Sequence, residues 1–285
     1  MAALLEPAAC CRLARSCGPS AGDWLRIAPS CPGLERLEAC FAGPAYAPHR
    51  HDTYAIGITL HGVQSFRYRG AAHDSTAGQV FVLHPDERHD GHAGTGAGFC
   101  YRILYLDPRL LQEALHAARP LPFVRDAVSN DPRLTAALAP ALADLDAPLE
   151  DLERDQIVLE LAEALAAADP STPRRPLAAR HWRAAARARA FLDASLPDPV
   201  RASELEALTC LSRFALARHF RACFGTSPYR YLVLRRLDRA RALIGQGAAL
   251  ADAALAAGFA DQSHLTRHFK RAYGVAPGRW AALTV

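Results

Sequence analysis

Lysine is nearly missing from this chain of 285 residues, because Lys270 is the only lysine among 33 basic residues. The eight cysteines never form a Cys-x-x-Cys pair, which excludes zinc-ribbon spacing. Arg12, Arg15 and several prolines interrupt the N-terminal stretch, so neither a signal peptide nor a transmembrane helix is indicated. The sequence therefore predicts a cytoplasmic protein without a membrane partner, whose thiols are reduced.

Charge is unevenly distributed along the chain. Residues 1–170 carry 14 basic and 22 acidic residues, a balance of −8, whereas residues 171–285 carry 19 basic and 7 acidic residues, a balance of +12. The length suggests about two domains. An acidic part joined to a basic part indicates two roles, and we expect the basic part to face a polyanion.

The local sequence pattern changes twice. After a flexible leader over 1–22, short β-type runs separated by Gly and Pro turns fill 23–107 and predict a small barrel. Apolar residues at helical spacing follow over 108–169. A Pro-rich polar break over 170–180 predicts an interdomain linker, and helices continue over 181–285. The predicted fold class is α+β with two domains: a β-barrel with trailing helices, then an all-α domain.

The basic part contains a repeat with an offset of 49 residues. Both copies read Leu-x-Arg-His-Phe-basic-x-x-aromatic-Gly-x-x-Pro, beginning at Leu216 and Leu265. Matches in this register indicate a duplicated supersecondary unit. The two units span about 203–224 and 250–273.

The second copy has every signal of a helix-turn-helix. Gly258 allows a left-handed turn after a short apolar helix. Asp261 is an N-cap residue for a helix over Gln262–Tyr273, and Gly274 is a C-terminal glycine. We therefore predict a helix that can enter the major groove of DNA.

The first copy follows the same plan with one departure. Ser203 and Ser212 are the expected N-caps of its two helices. Thr209 stands where the second copy has Gly258, and a β-branched residue disfavours a positive φ. We expect its turn to differ. A helix of about 25 Å over Pro228–Ile244 separates the copies, which lets the two second helices reach successive major grooves.

These stretches resemble the AraC/XylS family of bacterial transcription regulators. The resemblance implies a seven-helix promoter-binding domain, a small-molecule effector, RNA polymerase as a partner, activation of transcription and a homodimer formed through residues 108–169. The alternative for this segment is that its leucines pack on the barrel, namely Leu152, Leu159, Leu161 and Leu165. The segments that carry the resemblance are Leu211-Ser-Arg-Phe-Ala-Leu-Ala-Arg-His-Phe220, Gly225-Thr-Ser-Pro-Tyr-Arg-Tyr-Leu232, Arg236-Leu-Asp-Arg-Ala-Arg-Ala-Leu243, Ala254-Leu-Ala-Ala-Gly-Phe-Ala-Asp-Gln-Ser-His-Leu-Thr-Arg-His-Phe-Lys270 and Gly274-Val-Ala-Pro-Gly-Arg279.

The same resemblance assigns residues to DNA contacts. Arg pairs with guanine in a bidentate manner and Gln reads adenine, whereas basic residues further along each helix contact phosphates and fix register. Arg218 and Arg267 have an alternative role, bracing the fold through a carboxylate. The base-facing positions are Arg213, Phe214, Ala217, Arg218, Gln262, Ser263, His264, Thr266 and Arg267, and the phosphate contacts are Arg221, Lys270 and Arg271.

The β-region resembles a cupin-like effector domain in Pro48-His-Arg-His51, Gly62, Gly70, Gly78–Leu83 and His84-Pro-Asp-Glu-Arg-His89. In metal-binding cupins, a His-x-His pair and a later histidine converge. The histidines of this chain at those places either line an effector pocket together with Tyr54 or hold a divalent metal that imidazole suits, such as Zn, Fe, Ni or Cu. The residues concerned are His49, His51 and His89. The carboxylate that usually follows the pair is missing. His84 and His92 are expected at the surface.

Two other classes of function compete with an effector-controlled regulator. The first is a metal-dependent cupin enzyme fused to a DNA-binding domain, against which the missing acidic ligand counts. The second is a methyl-phosphotriester repair activator with a cysteine-ligated zinc domain, suggested by Cys10, Cys11, Cys17, Cys31 and Cys40. Their spacing and the β-type pattern that follows argue against it. We therefore expect no catalytic residues and no required cofactor.

Overall fold

The structure is a computed structural model that describes residues 22–115, 121–170 and 178–284. Apart from Gly22, the predicted leader lies outside these residues, as do positions 171–177 of the predicted linker and Cys10, Cys11 and Cys17. Among the described residues, no helix is both long and apolar enough to cross a membrane.

The N-terminal domain is built on antiparallel strands. Alternating apolar residues and turn glycines produce nine of them in the described part. The bounds are β1 Trp24–Ile27, β2 Leu34–Phe41, β3 Pro44–His49, β4 Tyr54–Tyr68, β5 Ala71–Thr76, β6 Val80–Leu83, β7 His89–Ala93, β8 Phe99–Leu106 and β9 Val128–Ser129.

The strands form one folded sheet that does not close. Its main path runs β1-β2-β8-β4-β6-β9, and β5 and β7 pair with the second half of the long strand β4, while β3 pairs with β7. Two faces are thus joined through β4. The predicted α+β class is confirmed, but the closed barrel is wrong, because no described ladder joins the outer strands to each other.

Three helices cover one face of the sheet: α1 Pro108–Ala114, α2 Pro132–Ala143 and α3 Asp151–Ala168. Two buried arginines from the sheet satisfy the last carbonyls of α2. Arg36 Nη1 donates to Asp144 O (2.9 Å) and Arg102 Nη1 to Leu142 O (2.7 Å), while Arg102 also pairs with buried Glu38. Helix C-termini leave carbonyls unpaired, so these contacts attach α2 firmly to the sheet.

Seven helices form the described C-terminal domain over residues 179–283. Equivalent helices of the two copies begin 49 residues apart at Arg213 and Gln262, and at Pro228 and Pro277. The bounds are α4 Ala179–Ala194, α5 Ala202–Thr209, α6 Arg213–Phe224, α7 Pro228–Gly245, α8 Leu250–Ala256, α9 Gln262–Tyr273 and α10 Pro277–Leu283. We call α6 and α9 the recognition helices.

Most helix caps predicted from the sequence are present in the structure. Asp261 Oδ1 accepts from the backbone N–H of His264 (2.7 Å), and Gly258 has φ +85°. The predicted Ser203 cap is wrong, because α5 begins earlier, with Arg201 as its N-cap. The first turn differs as expected: Thr209 stays helical and Cys210 takes the left-handed conformation, φ 55°.

The two domains share an apolar core. Leu237 of α7 and Leu265 and Phe269 of α9 are fully buried in the same cluster as Phe41 and Tyr101 of the sheet. The first helix-turn-helix has a separate cluster of its own. The second unit is therefore held against the N-terminal domain by hydrophobic burial.

One pair of cysteines departs from the expectation of reduced thiols. Cys40 and Cys100 are register partners on β2 and β8, with Cα atoms 4.1 Å apart, and they form a disulfide. Adjacent antiparallel strands bring these residues together although they lie 60 positions apart. Cys31, Cys210 and Cys223 are free.

Candidate functional site

The two recognition helices present polar faces to solvent. Each one buries a Leu and a Phe four residues apart, Leu216 and Phe220 in α6 and Leu265 and Phe269 in α9. That spacing turns the remaining side chains outward. Exposed among the predicted contacts are Arg213, Phe214, Arg218, Arg221, Gln262, Ser263, Arg267, Lys270 and Arg271, whereas Ala217, His264 and Thr266 are half-buried.

Three predicted contact arginines differ in their partners. Within the described residues, neither Arg218 nor Arg267 forms an ion pair, so no carboxylate there braces the fold through them. Arg221 instead lies against the N-terminal domain, with Nη2 2.5 Å from Asp86 Oδ2. The side chain of Asp86 is only 5% exposed, and it also lies 2.7 Å from Arg230 Nε.

Acidic residues of the N-terminal domain face arginines of the C-terminal domain. The pairs are Asp107–Arg189, Asp86–Arg221, Asp86–Arg230, Asp52–Arg235, Glu35–Arg241 and Asp23–Arg279. Part of the basic excess that indicated a polyanion partner thus serves the contact between domains. The sequence pattern did not predict these pairs, because residues up to 256 positions apart are involved.

A cleft of about 530 Å³ lies between the sheet and helices α7, α9 and α10. Both domains contribute apolar walls, including Leu25 and Leu37 from the sheet and Leu234 and Trp280 from the helices. Such a mostly apolar concavity at a domain interface is a common form of ligand site. The cleft is therefore a candidate effector site.

The charged lining of the cleft is more acidic than basic. Glu35, Asp52, Asp107 and Asp238 contribute carboxylates, and Arg235 and Arg241 contribute guanidinium groups. Arg235 Nη2 lies 3.0 Å from Asp52 and 3.2 Å from Asp238. Burial raises the pKa of Asp52 to about 6 despite Arg235 beside it.

Three predicted histidines converge at one side of the cleft. His49 ends β3, His51 follows it, and His89 begins β7, where it is the register partner of His49. All three are buried, and their candidate ligand nitrogens lie within 4.8 Å of one another. Burial lowers the pKa of each one, that of His89 to about 4, and the neighbouring imidazoles lower those of His49 and His51 further.

Other predicted residues lie elsewhere. Tyr54 does not line the cleft: its hydroxyl donates to Pro122 O (2.7 Å) in the core between sheet and helices. His92 is exposed as expected, but His84 is buried, so its predicted surface position is wrong. The backbone N–H of Val124 donates to His84 Nε2, and Tyr68 bonds its Nδ1.

Comparisons with known proteins agree with these features. A family model described as an AraC-like ligand binding domain matches residues 32–162, and a helix-turn-helix domain model matches residues 205–282. The HTH-type transcriptional regulator YbfI of Bacillus subtilis (strain 168) is 26% identical over 231 residues, covering 76% of this chain and 80% of YbfI.

Solved structures of ToxT from Vibrio cholerae share the fold. One aligns with a TM-score of 0.62 at 9% identity, covering 88% of this chain and 98% of ToxT. Another, of ToxT bound to an unsaturated fatty acid, aligns with a TM-score of 0.60 at 13% identity, covering 94% and 97%. Their chain folds in the same two-domain order. With its effector-binding sheet domain and its duplicated helix-turn-helix, the chain belongs to the AraC family of DNA-binding transcription regulators.

Proposed function

We propose that the two recognition helices read promoter DNA in successive major grooves. The supporting observation is that α6 and α9 expose equivalent polar faces, 49 residues apart, on either side of the rigid helix α7. An α-helix fits the major groove, where base pairs differ in their donor and acceptor patterns. The proposed base contacts are Arg213, Phe214, Ala217, Arg218, Gln262, Ser263, His264, Thr266 and Arg267.

Basic side chains further along the recognition helices are proposed to bind phosphates. Lys270 and Arg271 are exposed in the last turn of α9, and Arg221 is exposed at the equivalent place in α6. Contacts of this kind hold the protein in register and make affinity depend on salt. We infer that they supply most of the affinity, and the base contacts the specificity.

Replacing Arg267 by alanine tests this proposal. Binding to a duplex selected by the protein from a random library should weaken by about 1–3 kcal/mol, with relaxed preference at one base position. Fluorescence anisotropy at constant salt measures the change, and sequencing of reselected duplexes measures the preference. Arg125→Ala removes an exposed arginine from the N-terminal domain and serves as the matched control. Equal affinity and equal preference for Arg267→Ala and Arg125→Ala would refute the assignment.

The effector is proposed to bind in the cleft between the domains. Its walls are largely apolar, and carboxylates outnumber guanidinium groups in its lining. An excess of carboxylates in the lining disfavours another anion. We therefore infer a compact, mostly apolar molecule that is neutral or cationic, in contrast to the fatty acid bound by ToxT.

The remaining partners follow from the same architecture. We propose a cytoplasmic activator that contacts RNA polymerase and catalyses no reaction, with a homodimer formed through residues 108–169. Leu152 and Leu159 support the dimer, because these large apolar side chains of α3 are 83% and 41% exposed. Exposed apolar residues on one helix favour an interface with another protein surface.

A further inference from the structure

We propose that His49, His51 and His89 bind a divalent transition-metal ion, and that this ion controls how the N-terminal domain holds both recognition helices. The metal site itself does not depend on the proposed function. Only the last arm of its test, DNA affinity, rests on the proposed reading of promoter DNA.

Hydrogen bonds at Nδ1 orient the three imidazole rings as metal ligands. Nδ1 of His49 lies 2.9 Å from Ala47 O, and Nδ1 of His51 and His89 lies 3.0 Å from Thr53 O and Glu87 O. A carbonyl oxygen only accepts, so each Nδ1 carries the proton and each Nε2 keeps a lone pair. A backbone carbonyl behind the outer ring nitrogen is the usual support of a metal-bound histidine.

The three imidazole rings lie around a shared space. The ring centroids of His49 and His51 lie 4.2 and 4.9 Å from that of His89. Among the described residues, His51 Nε2 is buried without a hydrogen-bond partner. Three nitrogens around a tetrahedral zinc ion are about 3.4 Å apart. The observed limit of 4.8 Å therefore requires only small ring movements.

The donor set selects the class of ion. Three imidazoles suit zinc, cobalt or nickel, whereas calcium and magnesium require oxygen ligands. His49 and His51 also line the cleft, so a fourth ligand can come from that side. We therefore expect a zinc-type ion with one position open to water or to the effector.

The strand that carries His49 holds the end of the second recognition helix. The backbone N–H groups of Ala47 and Arg50 donate to Gly274 O (2.9 Å) and Arg271 O (3.1 Å), at the C-terminus of α9. A side chain at Gly274 would meet Ala47 O at 2.7 Å and His49 Nδ1 at 2.8 Å. The imidazole of His49 is thus in direct contact with this helix end.

The loop before His89 holds the equivalent end of the first recognition helix. Gly225 is the repeat partner of Gly274, and a side chain there would meet Pro85 Cβ at 2.4 Å. Asp86 pairs with Arg221 of α6, and its own backbone N–H donates to His51 O (2.7 Å). Both recognition helices therefore end on segments that flank the three histidines.

An ion at this position would reinforce two segments that backbone pairing at His49 and His89 already brings together. Binding His49 and His51 to His89 ties the β3 end to the start of β7, and so fixes the contacts at Gly274 and Arg221 together. In that arrangement Arg221 is held by Asp86 rather than free for a phosphate. We therefore infer that the metal-bound form binds DNA more weakly than the metal-free form.

Metal binding is tested on the full-length protein after treatment with EDTA and desalting. Titration with Co²⁺ should produce visible absorption bands that saturate at one ion per chain, and Zn²⁺ should displace the Co²⁺. His89→Gln removes one ligand without touching α9 and should weaken Co²⁺ binding by at least about tenfold. His92→Gln changes an exposed histidine of the same strand and should leave binding unchanged. Circular dichroism checks the fold, and His51→Asn is the second ligand variant.

Coupling is tested by hydrogen exchange and by DNA binding. In the wild type and in His92→Gln, Zn²⁺ should slow hydrogen exchange at the amides of Ala47 and Arg50 and should raise the Kd for the selected duplex several-fold. In His89→Gln, Zn²⁺ should change neither quantity. Absence of saturable Co²⁺ binding, or equal Co²⁺ affinity in His89→Gln, would overturn the metal site. Zn²⁺ binding with unchanged exchange and unchanged Kd would overturn the coupling. If the metal-free protein selects no duplex, the DNA-reading proposal is refuted. The metal site is then decided by Co²⁺ binding and hydrogen exchange alone.

Discussion

Replacing Asp86 by asparagine removes the negative charge of this side chain and keeps its shape. Asp86 has φ 62°, a left-handed conformation that Asn also adopts readily, so the backbone should be unchanged. The substitution removes the negative charge that faces Arg221 at 2.5 Å, Arg230 at 2.7 Å and Arg50 at 3.8 Å. Three guanidinium groups are then left without their shared counter-charge.

The magnitude follows from the burial of each partner. Removing one member of a fully buried ion pair costs about 3–5 kcal/mol, whereas exposed pairs contribute about 0–1 kcal/mol. The Asp86 side chain is 5% exposed, but those of Arg221, Arg230 and Arg50 are 61%, 26% and 46% exposed. Since water can solvate the released arginines, we expect the contact between domains to lose about 1–2 kcal/mol.

DNA binding should change in the opposite direction. A released Arg221 can bind one more phosphate, which steepens the dependence of log Kobs on log salt by about 0.9. Anisotropy titrations of Zn²⁺-saturated protein, the form in which Asp86 holds Arg221, measure this slope at four salt concentrations, and hydrogen exchange of α6 measures the domain contact. The control is Glu87→Gln, which removes a neighbouring charge that forms no ion pair with the described arginines. If Asp86→Asn and Glu87→Gln show the same slope and the same exchange as the wild type, the role assigned to Asp86 is refuted.

Two further substitutions test the turn and the cleft. Gly258→Ala should destabilise the second helix-turn-helix by at least about 1–2 kcal/mol, because φ is +85° and the new Cβ would lie 2.3 Å from Pro197 O. The control is Gly245→Ala, at an open helical position, which should not lower the melting temperature in thermal unfolding. Ala242→Trp, which narrows the cleft from an exposed position of α7, should abolish the rise in melting temperature caused by neutral or cationic apolar ligands, while Ala251→Trp on α8 should retain it. A ligand that stabilises both tryptophan variants equally would place the effector elsewhere.

The recognition helices could be predicted almost residue by residue. Their bounds, Ser212 and Asp261 as N-caps, and the glycines that end them are visible in the sequence and present in the structure. Capping and left-handed turns depend on residues within a few positions of each other. The error at Ser203 is also local, because the true N-cap of that helix, Arg201, lies only two residues earlier.

The histidines were predicted by their spacing, but their neighbours were not. Register pairing of His49 with His89 brings together residues 40 positions apart. Tyr54, only three residues after His51, faces the opposite core, because the chain bends at Asp52 and Thr53 before β4 begins. A pattern of residue types therefore located the cluster without showing which side chains share its space.

The amino-acid sequence specified the duplicated helix-turn-helix, the change from strands to helices and the division into acidic and basic parts, because propensity, capping and periodicity act over short distances along the chain. Only the tertiary structure decided that the basic part turns several arginines inward and that both recognition helices end against the histidine cluster. Those contacts require packing of the two domains across a shared apolar core, which joins Leu237 and Phe269 to Phe41. Long-range burial, rather than local pattern, sets which charges meet.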